Sequence, residues 1–210
     1  MHRVLEELRA TGFSVLHVDH VHDLLRLASS LGRVVPAETG LQLDQVIAGS
    51  KPARRARSFT FHYGLGDFPL HTDTVYWPLP ARYVVMWAAR EFKTPTTILG
   101  SHQVSELLSS FKSRVPIFTR KSKTGPIYSS PWFGENDEYV RYDPCYMAAA
   151  NGAASALSQE LDAAAMTVAE DFFWKPHTAL ILDNWRCLHG RRGVLGEERA
   201  LSRIYIEEAS

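Results

Sequence analysis

The chain is 210 residues long, enough for one hydrophobic core without disulfide or metal staples. Apolar residues make up 45% and charged residues 22% of it, which excludes a disordered tail, a collagen and a low-complexity scaffold. Lys plus Arg and Asp plus Glu both number 23, so nothing in the net charge draws the chain to nucleic acid or to an anionic membrane.

Residues 3–10 read as a short amphipathic helix stopped at Gly12, and 13–18 alternate like a strand. Asp19 has the chemistry of an N-cap for a helix over 20–30, with apolar positions Val21, Leu24, Leu25 and Leu27 and with Gly32 closing it. Residues 33–57 are polar and punctuated by Pro36, Gly40, Gly49 and Pro52, which predicts a surface loop region. They end in a basic run, 51–57, that reads as a solvated loop rather than a nucleic-acid site. Short strands are then predicted over 58–63, 83–90, 96–99, 115–119, 138–142, 178–183 and 201–207. Two helices interrupt them, one over 101–112 capped by Ser101 and one over 153–173 rich in Ala and Leu. Many short strands with one long helix inserted late predict a mainly β sandwich or barrel with flanking helices. No apolar run reaches the roughly 18 residues of a membrane span, and the N-terminal residues form no signal-type apolar core. Cys145 and Cys187 support neither a disulfide framework nor a four-Cys zinc site. The expectation is one soluble cytoplasmic domain over 1–210.

Nine histidines are many for this length. The densest cluster, His17-Val18-Asp19-His20-Val21-His22-Asp23, straddles the predicted strand-to-helix junction, so its side chains fan apart and its carboxylates serve the helix N-terminus. His71-Thr72-Asp73 differs in context. On an extended segment residues i and i+2 project to one side, so an imidazole and a carboxylate can converge on a metal, and the apolar strand 83–87 follows. A third element runs from the apolar Leu180-Ile181-Leu182 through the polar Asp183-Asn184-Trp185-Arg186 to His189. Ten residues on, Arg199, Leu201 and Arg203 share one strand face, with Ile204 and Ile206 on the other. An inward Arg requires an anion, and a carboxylate can meet it in a bidentate pair. Two His, one carboxylate and an Arg match the facial triad of a non-haem Fe(II) oxygenase, which leaves metal positions open for co-substrate and oxygen. On residues alone the competing reading stays open, with His71 and His189 unrelated and Arg199 in a surface ion pair.

The order of these segments resembles the Fe(II)/2-oxoglutarate-dependent dioxygenases of the taurine dioxygenase and clavaminate synthase-like group, including the γ-butyrobetaine hydroxylase branch. The resemblance is carried by Phe68-Pro69-Leu70-His71-Thr72-Asp73, Trp77-Pro78, the block Asp183-Asn184-Trp185-Arg186-Cys187-Leu188-His189-Gly190-Arg191, and Arg199. Gly12-Phe13-Ser14-Val15-Leu16 and Leu31-Gly32-Arg33-Val34 fit the family's opening. It implies a double-stranded β-helix (jelly-roll) core with flanking helices. It further implies His71, Asp73 and His189 as Fe(II) ligands and Arg199 on the distal carboxylate of 2-oxoglutarate, with Thr97, or alternatively Thr96, beside it. Arg203 falls where some members place an Arg near substrate or co-substrate. The implied reaction consumes O2, releases succinate and CO2, and hydroxylates, desaturates or cyclises a small-molecule substrate, with no general base.

Tyr76, Trp77, Arg141, Tyr142, Trp185 and Arg203 are the candidate pocket residues, and the spare Arg residues favour a small polar substrate bearing a carboxylate. Arg141 has an alternative use in a surface pair with Asp143. The chain is shorter than typical members, so the pocket is expected to be shallower than usual, or closed by the 33–57 loop or by a second subunit. The turn Trp174-Lys175-Pro176-His177-Thr178 lacks the Gly that the family carries there. Two rival classes use the same residues differently: a cupin-like metal oxygenase or isomerase without 2-oxoglutarate, and a non-catalytic binding module.

Overall fold

The computed structural model describes residues 1–48, 62–122, 125–136, 139–194 and 199–208. Helix α1 (His2–Thr11) leads into β1 (Phe13–His17), α2 (Val21–Leu31), β2 (Gly32–Val35) and β3 (Asp44–Ala48). Strands β4 (Phe68–His71), β5 (Tyr83–Ala88) and β6 (Phe92–Leu99) precede α3 (Ser101–Ser109). Short strands β7 (Phe118–Ser122), β8 (Gly125–Ser129), β9 (Trp132–Phe133), β10 (Tyr139–Val140) and β11 (Ala148–Ala149) lead to α4 (Gly152–Thr167). Then come β12 (Glu170–Trp174), β13 (Thr178–Asp183), β14 (Leu188–Arg191) and β15 (Arg199–Glu208).

The larger sheet has the order β1-β13-β5-β15-β2, with β3 also paired to β15, and the smaller has the order β12-β6-β14-β4. Strand alternation sorts the side chains into layers. Val84, Met86, Leu180, Leu182 and Leu201 of the larger sheet meet Phe92, Ile98 and Trp174 of the smaller one in the inner core. The alternate residues Val85, Trp87, Ala179, Ile181, Ile204 and Ile206 pack outward on Val4, Leu8, Leu24 and Ala28 of α1 and α2. Leu70, Leu99 and Leu188, on the back of the smaller sheet, are covered by α3 and α4 through Val104, Leu108, Leu157 and Leu161. Fully burying one such aliphatic side chain contributes about 1.5–3 kcal/mol. This is the expected double-stranded β-helix with flanking helices. Among the described residues no helix is long and apolar enough to cross a membrane.

Several local expectations need correction. His20, not Asp19, is the N-cap of α2, and it makes no side-chain capping bond; the Asp19 carboxylate instead lies 2.9 Å from His17 Nε2. Gly100 rather than Ser101 caps α3. The long helix stops at Thr167, because the aromatic residues beyond it pair as β12 with β6. Its start is set by Asn151, whose Oδ1 accepts from the Ala154 N–H at 2.9 Å. The 33–57 stretch is not all loop, since β3 hydrogen-bonds along Arg199–Arg203 of β15. The strand expected over 115–119 lies at Phe118–Ser122. The strand over 58–63 and the basic run 51–57 fall largely outside the described residues, and Tyr63 is helical. The turn before β13 closes without Gly because His177 takes φ 58°, a left-handed conformation His tolerates better than most residues.

Candidate metal centre

β4 and β14 are neighbours, and their register sets His71 directly opposite His189, with ring centroids 4.5 Å apart. Gly190 makes this approach possible, since a Cβ there would run into the Phe68 carbonyl oxygen. Asp73 follows β4 in a tight turn. Its Oδ1 lies 3.6 Å from His71 Nε2 and its Oδ2 lies 3.8 Å from His189 Nε2. The three ligand atoms lie within 4.8 Å of one another, and among the described residues this is the one group of His, Cys, Asp or Glu that could hold a metal ion. His71, Asp73 and His189 are 7%, 8% and 5% exposed. The 17–23 cluster contributes nothing comparable.

The protonation states suit a cation. His71 Nδ1 lies 2.9 Å from the Pro69 carbonyl oxygen, which can only accept, so Nδ1 carries a proton and Nε2 faces the Asp73 carboxylate; burial alone lowers this imidazole, but Asp73 outweighs it and raises it above its ordinary value. Burial pushes the His189 imidazole down to about 3, with the neighbouring His71 adding to the effect, so it is neutral. Burial alone raises the Asp73 carboxyl, but the Arg203 guanidinium and both imidazoles outweigh it and hold the group well below the carboxylate range. With a cation in place of the proton that Asp73 favours on His71, the two imidazoles and the carboxylate on this buried wall form a donor set that fits Fe(II).

Asn184 is a part of this centre that sequence reasoning did not single out. Fully buried, its Oδ1 accepts from the Asp73 N–H at 2.8 Å, and its Nδ2 donates to the carbonyls of Asp73 (3.0 Å) and Ala81 (2.9 Å). Thr74, at φ 55°, donates to the Asp73 carbonyl and accepts from the Ala81 N–H. Asp73 is thus held by its backbone from both sides. The only signal in the sequence was a short polar pair, Asp183-Asn184, ending an apolar strand.

The triad opens on a cavity of about 250 Å³. Arg199, 4% exposed, lies on its wall and donates from Nη2 to Thr96 Oγ1 at 2.5 Å. The same hydroxyl accepts from Trp174 Nε1 at 3.1 Å. Thr96 therefore takes the place expected for Thr97. Ile98 of β6 faces the inner core and Leu99 the helices, so Thr96 is inward; Thr97 is turned away and donates to Asp171 at 2.9 Å. Burial, aided by the nearby Arg191, lowers Arg199 to about 9. Arg191, also on the wall, is lowered to about 10 by burial.

Arg203 reaches the cavity, but it is held in a clamp, donating to Asp73 Oδ2 at 3.3 Å and to Asp44 Oδ2 at 3.1 Å. Tyr76 sits at the rim, stacked on Tyr146 at 5.3 Å. Asp143 lies on the same wall, with Oδ1 accepting from the N–H groups of Cys145 and Tyr146. Burial pushes its carboxyl up to about 6. Val46 and Ala48 of β3 and Glu38 line the opening, so the described part of 33–57 supplies wall.

Four candidate pocket residues lie elsewhere. Arg141 donates to the Pro78 carbonyl at 2.8 Å and packs over Phe133, paired neither to Asp143 nor to the cavity. Trp185 is buried behind the strands, donating to the Pro80 carbonyl at 2.8 Å beneath the Arg82 guanidinium. Trp77 packs on the far side of Tyr205 at 5.7 Å. Tyr142 is core, edge-on to Phe118.

No protein-family model and no curated protein matches the chain. Solved structures do. Asparagine oxygenase superposes with a TM-score of 0.77 at 17% identity, over 99% of this chain and 78% of that one. The non-haem iron oxygenase OrfP, in complex with Fe and α-ketoglutaric acid, gives 0.68 at 18% identity over 98% and 78%. PvcB from Pseudomonas aeruginosa gives 0.68 at 15% identity over 98% and 79%. The chain has the jelly-roll fold of these solved structures. Within this fold the inner face of the smaller sheet carries both imidazoles and Arg191, and the inner face of β15 carries the other two cavity guanidiniums, Arg199 and Arg203.

Proposed function

We propose that the protein is an Fe(II)/2-oxoglutarate-dependent oxygenase that hydroxylates a small amino-acid-like substrate, with residues 1–210 acting as one domain. The observation that carries this reading is the shared cavity: a buried His71–Asp73–His189 triad beside a buried Arg199 that has no ion pair to a described residue. His71, Asp73 and His189 hold the metal, and Arg199 with Thr96 holds the distal carboxylate of 2-oxoglutarate. The bound metal supplies oxidative decarboxylation of that co-substrate by O2, giving succinate, CO2 and hydroxylation of a substrate C–H bond.

The chain's own contribution is positioning. Asn184 and Thr74 fix the Asp73 backbone, the Pro69 carbonyl holds a proton on His71 Nδ1 and so turns Nε2 to the metal, and the pairing of β4 with β14 sets the two imidazoles side by side. Arg203 faces the substrate carboxylate from its clamp. Asp143, a buried carboxylate with no ion pair to a described residue, faces a cationic or amide group of the substrate, with Tyr76 and Tyr146 as an apolar shelf. Two of the solved relatives support the class: one is asparagine oxygenase with Fe(II), 3-hydroxyasparagine and succinate, the other OrfP with succinate and hydroxylated arginine. A cupin-like enzyme without 2-oxoglutarate has no use for the buried Arg199. Anaerobic titration with Fe(II) and 2-oxoglutarate tests the reading through the visible charge-transfer band of the chelate. A screen of free amino acids for succinate release then identifies the substrate. No band and no co-substrate uptake by the Fe(II)-loaded protein would end it.

A further inference from the structure

His189 and Arg191 are two residues apart on β14, so their side chains leave the strand on the same face. Arg191 therefore lies on the cavity wall, 3% exposed, next to Arg199 at 4%. Arg191 Nη1 donates to the Arg192 carbonyl and Nη2 to the Gly64 carbonyl, both at 3.0 Å, and the guanidinium lies 4.0 Å over the Phe68 ring. Those contacts satisfy hydrogen bonds, and the Asp67 carboxylate, which makes no ion pair with Arg191, offsets only part of the cost of burying its charge. Neither Arg191 nor Arg199 has an ion pair with a described carboxylate, and the Nε of each is buried without an acceptor. Two buried guanidiniums that oppose each other's charge need an anion between them.

Thr96 points the same way. Its backbone pairs with Arg191 across β6 and β14. Its hydroxyl already accepts from Arg199 and from Trp174, which fills both lone pairs and leaves the O–H to donate. A hydroxyl donor beside two guanidiniums suits one carboxylate.

We propose, building on the co-substrate reading above, that Arg191 is a second cation for the distal carboxylate, so that Arg191 and Arg199 together select dicarboxylic over monocarboxylic 2-oxo acids. Dissociation constants measured anaerobically by calorimetry on Mn(II)-loaded protein test this. The ligands are 2-oxoglutarate and 2-oxopentanoate, the same chain without the distal carboxylate. In a separate arm, glutarate, which lacks the chelating 2-oxo group, is followed by thermal shift on metal-free protein.

Wild type is expected to prefer 2-oxoglutarate by about a hundredfold or more. Arg191→Gln is expected to narrow that preference about tenfold, one lost charged hydrogen bond, with 2-oxopentanoate binding unchanged. Arg191→Lys should restore most of it, and glutarate should protect wild type more than Arg191→Gln. An unchanged preference in Arg191→Gln, or equal weakening of both acids, overturns the second-cation role. If wild type takes up neither 2-oxo acid yet glutarate still protects it better than Arg191→Gln, the anion site stands and the co-substrate reading falls.

Discussion

The two ends of the cavity handle charge in opposite ways. At the triad, Asp73 meets Arg203, Arg203 also meets Asp44, and Asn184 and Thr74 bond the Asp73 backbone. At the other end, Arg191 and Arg199 share hydroxyl and carbonyl oxygens but no described carboxylate. The triad end is organised before any ligand arrives, whereas the arginine end is completed by one. A ligand that binds only the folded state stabilises it by mass action, so the arginine end is where a small anion should raise stability most.

Removing a ligand breaks the triad end outright. Asp73→Ala or His189→Ala should lower Fe(II) affinity by more than about a hundredfold, measured by metal content after dialysis, since loss even of an outer partner lowers affinity about 10–100-fold. His17→Ala and His20→Ala should keep full metal content. At the opposite end, Arg199→Ala should weaken 2-oxoglutarate binding by about 2–5 kcal/mol in calorimetry, as truncation of one partner of a buried charge pair. Asn184→Ala leaves all three ligands in place yet should weaken Fe(II) binding about 10–100-fold. Equal affinity would show that the Asp73 backbone needs no tether.

Asp143 adds a pH dependence. Its carboxyl is raised to about 6 by burial, against 3.8 normally. The neutral form is therefore favoured on folding: its contribution is complete below the unfolded value and is lost as pH rises through about 6. The total is up to about 3 kcal/mol. Urea unfolding of metal-free protein should show wild type losing stability relative to Asp143→Asn between pH 4 and 7. The smallest contrast lies on one strand. Thr96→Val should cost about 1–3 kcal/mol of 2-oxoglutarate binding, and Thr97→Val should leave that binding unchanged.

That pair of threonines also marks how far the sequence can be read. His71, Asp73 and His189 were legible because a short polar motif and a distinctive strand-end block carried them in order. Choosing between Thr96 and Thr97 needed the parity of β6, and a one-residue ambiguity turns a side chain to the other face of a sheet. Arg199 and Arg203 were placed on the correct face by the period of β15, but the Asp44–Arg203 clamp depends on a strand 159 residues away in a stretch that reads as polar loop. Trp185 and Arg141 illustrate the converse error. Proximity in sequence to a ligand or a strand end says little about facing it, since each found a backbone carbonyl on the other side. The end of α4 was missed because Ala-rich periodicity continues up to β12, where pairing with β6 decides the conformation.

The larger sheet also sets the order in which the molecule can assemble. β5 pairs with β13 on one side and β15 on the other, so both of its neighbours lie near the C-terminal end. His71 and Asp73 likewise wait for His189, and Asp73 for Asn184, 111 residues later. On a ribosome adding about 5–20 residues per second, the middle of the chain therefore emerges as a set of apolar strands with unpaired edges and half a metal site. Until the last strands are made, those edges are templates for pairing with another nascent copy. Expression at low temperature, or with chaperones that shield strand edges, should accordingly raise the yield of soluble protein more than adding iron to the medium.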